Sequence, residues 1–187
     1  MAAARTTWIS SLSCPSGLGI EAMLIIFGGL PGVGKTSIAR ELARQIGAVH
    51  VRIDSIEQAI RDSAAVSEPL NDVGYRVAYA VAEDNLRIGR TVIADSVNPL
   101  RLTRDAWVDV AKRAKARPVE IEVVCSDSEQ HRRRVEARTA DIPGLRLPTW
   151  DEVASREYHA WDRERVVLDT AGRSVEQNVK LLRGLLV

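Results

Sequence analysis

Short apolar runs alternate with amphipathic stretches along most of this chain. Met23-Leu24-Ile25-Ile26-Phe27 is uninterrupted and suits a strand buried on both faces. From Ser37 to Ile46 the period changes, and Ile38, Ala39, Leu42, Ala43 and Ile46 fall on one helical face. Ala48 to Ile53, β-branched at Val49, Val51 and Ile53, predicts a second strand ending at Asp54. A helix is predicted from about Ser55 to Ser63, followed by a break at Ser67-Glu68-Pro69. Asn71 or Asp72 then caps a longer helix reaching about Ile88. Thr91 to Ala94 predicts a strand closing on Asp95, and Pro99 opens a helix carrying Leu102, Ala106, Val110 and Ala114. Val119 to Val124 is the next strand, and Ser126 or Asp127 caps a helix through His131 to about Arg138. Ala140 to Pro148 is loop-like. Thr149 starts a helix to about Trp161, Val166-Val167-Leu168 is the last strand, and Ser174 caps a terminal helix. Five strands separated by helices predict an α/β fold, a parallel sheet with helices on both faces.

In open sheets of this kind ligands sit beyond the carboxyl ends of the strands. After the first strand comes Gly29-Leu30-Pro31-Gly32-Val33-Gly34-Lys35-Thr36, then Ser37, which fits the phosphate-loop pattern. Its glycines let backbone N–H groups turn inward onto phosphate oxygens, and Lys35 reaches the β- and γ-phosphates. The Thr36 hydroxyl suits magnesium, and the helix start directs its positive end at the anion. Strand, loop and helix stand in the order the motif requires, so the chain is expected to bind a nucleoside triphosphate with Mg²⁺.

Asp95, closing an apolar strand, has the form of the second acid that holds magnesium; the other reading is a turn cap before Pro99. Asp54 is placed to accept or orient the proton of an attacking hydroxyl, or to cap the helix beginning at Ser55. In the run His131-Arg132-Arg133-Arg134-Val135-Glu136-Ala137-Arg138, Arg134 and Arg138 share a helix face at i, i+4. A guanidinium from there would stabilise charge on a transferring phosphoryl group; otherwise the run is a solvated basic face.

The 187 residues suffice for one domain with a proper core, or a domain with a tail. A net charge of +1 gives no bulk attraction to nucleic acid or membrane, and 4% aromatics make no stacking platform for single strands. No apolar run reaches the ~18 residues of a membrane span. Cys14 and Cys125 have no metal-ligand spacing, so a reducing cytoplasm is expected, with Cys125 a small buried hydrophobe. His50, His131 and His159 form no spaced pair, which supports neither a metal site nor a triad. Residues 1–22 read as a flexible extension, or as sequence ahead of a true start at Met23, and 23–187 as the folded domain.

On these motifs the chain resembles the small phosphate-loop kinases of the shikimate, gluconate and adenylylsulfate kinase and zeta-toxin type, an AAA-type ATP-binding group. Gly28 to Thr36, Arg52-Ile53-Asp54, Gly89 to Asn98, Arg134 to Arg138 and Val166 to Gly172 carry the resemblance. It implies a five-stranded phosphate-loop NTPase fold with a small lid, an ATP cradle at Gly29 to Ser37, and Asp54 facing the acceptor. The arginine segment would lead into the lid, and Asp169, Thr170 and Gly172 would border the adenine. The expected activity is transfer of the γ-phosphoryl group of ATP to a hydroxyl of a small molecule. The alternatives are a nucleotide-type kinase (nucleoside monophosphate, adenylylsulfate or polynucleotide 5′-end) and a regulatory ATPase. Polynucleotide-kinase-like relatives often have an arginine where this chain has Glu57. That argues against a nucleic-acid or nucleotide acceptor unless Arg52, Arg61, Arg101 or Arg104 compensates.

Overall fold

The computed structural model describes residues 22–63 and 70–186. All of the expected N-terminal extension except Ala22, and the expected break at Ser67-Glu68-Pro69, lie outside these described residues. The elements in chain order are β1 (Met23–Gly28), α1 (Lys35–Ile46), β2 (Val49–Arg52), α2 (Ile53–Asp62), α3 (Val73–Arg87) and β3 (Val92–Asp95). They continue with α4 (Arg101–Arg113), β4 (Arg117–Val124), α5 (Ser128–Glu136), α6 (Trp150–Ala154), β5 (Val166–Asp169) and α7 (Val175–Leu186). The strands form one parallel sheet in the order β2-β3-β1-β4-β5.

The central place of β1 explains why its run has no polar position. Leu24 and Ile26 pack with Ala78, Ala82 and Leu86 of α3 and Trp107 and Val110 of α4. Ile25 and Phe27 point the other way, into Ile38 and Leu42 of α1 and Val179 and Leu182 of α7. Each face therefore has its own apolar layer. Burying such a side chain contributes about 1.5–3 kcal/mol, so β1 is the best-anchored strand. Its neighbours β3 and β4 arise on opposite sides, so strand order reverses at β1 and opens a crevice at the carboxyl edge.

Several boundaries differ from the sequence expectation. α2 begins at Ile53, so Asp54 lies inside its first turn and Arg52 takes the cap position. α4 starts at Arg101 rather than Pro99, because Asn98 turns the chain with φ 47° and its Nδ2 donates to Phe27 O at 2.7 Å. β4 begins at Arg117 and includes Pro118. The proline is tolerated because β5 pairs only from Ile121 onward, leaving that stretch of β4 without a β5 partner. The helix expected from Thr149 to about Trp161 ends at Ala154. Beyond it, His159 N donates to Pro99 O at 2.8 Å and Arg104 takes the carbonyls of His159 and Ala160, so tertiary partners replace helical ones.

Candidate active site

The segment after β1 makes a tight loop at the crevice. Gly29 has φ 134°, and an added Cβ would lie 2.1 Å from Val123 O; at Gly32, with φ 86°, it would lie 2.4 Å from Val135 Cγ2. Only glycine fits either place. α1 opens at Lys35 with Gly34 as its cap residue, no side-chain cap and no acid in its first turn. Its first N–H groups are thus left for an anion, with the helix dipole behind them.

Three contacts fix this loop from elsewhere in the chain. Gly29 N donates to Val97 O at 3.0 Å. The His131 ring Nε2 lies 2.8 Å from Pro31 O, and the ring stands edge-on to Trp150. The Thr170 hydroxyl reaches Val33 O at 2.9 Å and accepts from Arg134, whose other nitrogen donates to Thr170 O at 3.0 Å. Arg134 is therefore a brace between α5 and the end of β5.

In front of the loop lies a cavity of about 860 Å³. Its wall includes Pro31, Gly32, Val33, Gly34, Lys35, Thr36, Ser37, Asp54, Asp95, Arg134, Arg138 and Thr170. Of the other sequence-predicted residues, Gly29 and Leu30 belong to the loop behind this wall, with Leu30 O accepting from Lys35 Nζ at 2.8 Å. Asp169 and Gly172 are not on the wall. The Asp169 carboxylate accepts from Ser126 and from Ala171 N, holding the ends of β4 and β5 together, and the Ser126 hydroxyl keeps its pKa below the usual range. Gly172 N donates to Gln130 Oε1 at 3.1 Å. Cys125 is half-buried, packed against the edge of the apolar core, and accepts from Arg134 NH1 at 3.8 Å.

Charge in the cavity is divided. Lys35 is buried, and desolvation lowers its ammonium from 10.5 to about 8. Asp95 and Asp54 oppose that shift, while Arg138 and Arg156 add to it. Asp95 is buried at the wall, with His50 Nε2 3.2 Å from Oδ2. A buried carboxylate and the Thr36 hydroxyl on the same cavity wall are hard oxygen donors, the kind that suits magnesium. Asp54 is half-exposed, with Arg52 3.4 Å away.

The segment from Ala140 to Pro148 lies over α2. Asp141 accepts from Arg52 NH1 at 2.8 and 3.0 Å and from Arg40 at 2.6 Å. Gly144 comes so near α2 that a Cβ there would lie 2.9 Å from Gln58 Nε2. Gly144, Leu145, Arg146, Leu147 and Pro148 line the cavity where the sequence placed the lid. Sequence reading missed His131, and it missed Arg156 and Arg173 of the wall. The signal for His131 was its place on the apolar side of α5 with Val135; Arg156 and Arg173 carried none.

A family model described as an AAA domain matches residues 24–156. Among curated proteins, HslU, the ATPase subunit of an ATP-dependent protease from Bartonella tribocorum, is 29% identical over 138 residues, covering 65% of this chain. The match spans only 30% of HslU's own length. Among solved structures, a candidate kinase from Chloroflexus aurantiacus superposes with TM-score 0.70 at 22% identity, covering 90% of this chain and 98% of that one. The Mycobacterium tuberculosis APS kinase CysC, in complex with AMPPNP and APS, gives TM-score 0.67 at 20% identity, covering 89% and 98%. At these identities the likeness is one of fold. The family match runs from β1 to just past α6, taking in phosphate loop and lid, and the chain belongs to the AAA domain family, built on the fold of the small phosphate-loop kinases.

Proposed function

We propose that this protein transfers the γ-phosphoryl group of ATP to a hydroxyl of a small molecule. The observation that carries the reading is the uncapped start of α1 beside buried Lys35, opening into a cavity shared with Asp54. The loop N–H groups and Lys35 bind the triphosphate. Asp54 orients the acceptor hydroxyl and takes its proton as the oxygen–phosphorus bond forms. The bond from phosphorus to the β–γ bridging oxygen breaks, and ADP leaves. Arg138 meets the charge that spreads over the γ-oxygens, from a lid that excludes water. Thr36 and Asp95 are the side chains that would hold magnesium, which when bound offsets negative charge on the β- and γ-phosphates. Of the arginines that the nucleotide-type alternative would need at the acceptor, Arg61 lines the cavity, whereas Arg101 and Arg104 are not on its wall.

Lys35→Ala should abolish phosphoryl transfer from labelled ATP while the melting temperature stays near or above the parent value, since a buried charge is removed. A variant as active as the parent and as stable would overturn the phosphate-loop role.

A further inference from the structure

One side chain reaches Asp95 from outside the cavity. His50 Nε2 lies 3.2 Å from Asp95 Oδ2, and His50 is not on the cavity wall. A carboxylate can only accept, so Nε2 carries the hydrogen of this bond. The sheet builds the contact. β2 and β3 run parallel with His50 opposite Ile93 and Arg52 opposite Asp95. Val51 and Ala94 fill the apolar layer under α3 and α4, so His50, Arg52 and Asp95 share the other face.

Arg52, the nearer in register, has other partners. Its guanidinium bonds Asp141 and lies 3.4 Å from Asp54. Among the described residues, His50 is the side chain in hydrogen-bond contact with Asp95. On its outer side the half-buried ring borders a second cavity, of about 340 Å³, with Val49, Val51, Val77 and Val81.

A carboxylate turns readily about its last bond, because that torsion has broad wells. A hydrogen bond to one oxygen sets the carboxylate plane, and with it the direction in which the other oxygen presents its lone pairs. Imidazole does this without the permanent charge of a guanidinium, which would cancel charge meant for a cation. Partners of this kind, bonded to a metal-binding group rather than to the metal, are worth about 10–100-fold in affinity.

Resting on the assignment of Asp95 to magnesium above, we infer that His50 is a positioning residue. It orients the Asp95 carboxylate for the metal that accompanies the nucleotide, and touches neither metal nor nucleotide itself.

The test measures metal binding rather than turnover. The full chain is loaded with ADP and titrated with Mn²⁺, the EPR signal of the free ion serving as readout. His50→Asn is too short to reach Asp95, and His50→Leu has no donor. His50→Gln keeps an N–H donor near the place of Nε2. The first two should weaken Mn²⁺ binding by at least about tenfold, and His50→Gln should retain most of it. Melting temperature and metal-free ADP affinity should stay near the parent's values. Either truncation suffices, so one that fails to fold leaves the other to decide. Because His50 acts through Asp95, removing its donor should add little in an Asp95→Asn background. Unchanged Mn²⁺ affinity in the truncations overturns the inference, and so does an equal loss in the Asp95→Asn background. A His50→Gln variant no better than the truncations does the same. If Asp95→Asn alone leaves Mn²⁺ affinity unchanged, the magnesium role of Asp95 falls and the inference with it. The phosphotransfer reading then still stands on the loop and Lys35.

Discussion

At the scale of single residues, Lys35 has the most consequential environment. Burial takes its pKa to about 8, so above that pH the free protein holds a growing share of neutral amine. Triphosphate placed against it favours the charged form and raises the pKa again. Between about pH 8 and 10, nucleotide binding should therefore take up protons, approaching one per ATP, and affinity should fall as pH rises. Calorimetric titration at about pH 8.5, in buffers of different ionisation enthalpy, measures the uptake directly. Lys35→Met should bind weakly with none, and equal uptake in both proteins would place the proton elsewhere. The loop around Lys35 was legible in sequence because its constraint is local: glycine spacing, a lysine and a hydroxyl in one short run. What holds that loop was not legible. His131 reaches Pro31 from α5 and Thr170 reaches Val33 from β5, and no short-range pattern signals such pairings.

At the scale of elements, α5 and the lid segment both border the cavity. Arg132 pairs with Glu136 and Arg133 with Glu129, both on the exposed face of α5. Arg134 is bonded to Thr170, and Arg138, past the helix end, is on the cavity wall. Of the four, Arg138 alone joins a cavity position to freedom from the α5 helix. Arg138→Ala should lower kcat by about a hundredfold with a much smaller change in ATP affinity, because its contact forms chiefly in the transition state. Arg132→Ala and Arg133→Ala should change little, and steady-state kinetics on the three variants separates the cases. Equal small effects at all three positions would reduce the cluster to a charged helix face. The lid segment that follows Arg138 is fastened by Asp141. Hydrogen bonds first from Arg52 and then from Arg40 hold its carboxyl well below the usual range. That contact is fully present above the ordinary aspartate pKa and is lost only as pH falls through the lowered value, so the latch is constant near neutrality. The Pro and Gly content foretold the loop, whereas the brevity of α6 depended on distant partners for residues beyond Ser155.

At the scale of the whole molecule, the two apolar layers fix the sheet, but the return from lid to β5 needs another support. That segment has neither helix nor strand between Ser155 and Arg165. Its anchor is Arg104, fully buried, with NH1 and NH2 donating to His159 O and Ala160 O at 3.0 and 3.1 Å. The guanidinium lies 4.5 Å from the centre of the Trp161 ring, which in turn fills the space beside Gly28, just ahead of the phosphate loop. In sequence Arg104 was a candidate to grip an anionic acceptor. Its true place was hinted at by spacing, because it shares the stripe of α4 that carries Trp107 and Ala111 into the core. Arg104→Met keeps much of the volume but strands two carbonyls, and it also spares the desolvation of a buried charge. The balance should be a loss of about 2 kcal/mol, or roughly 4–8 °C in Tm for a chain of this size. Arg101→Ala removes an exposed ion pair with Asp162 and should cost less than about 1 kcal/mol. Urea unfolding of both variants gives the comparison. Because Arg104 is not on the cavity wall, ATP affinity measured well below the variant's Tm should match the parent's. Equal stability of the two variants would mean that the return segment is held by its other contacts and that the clamp is incidental.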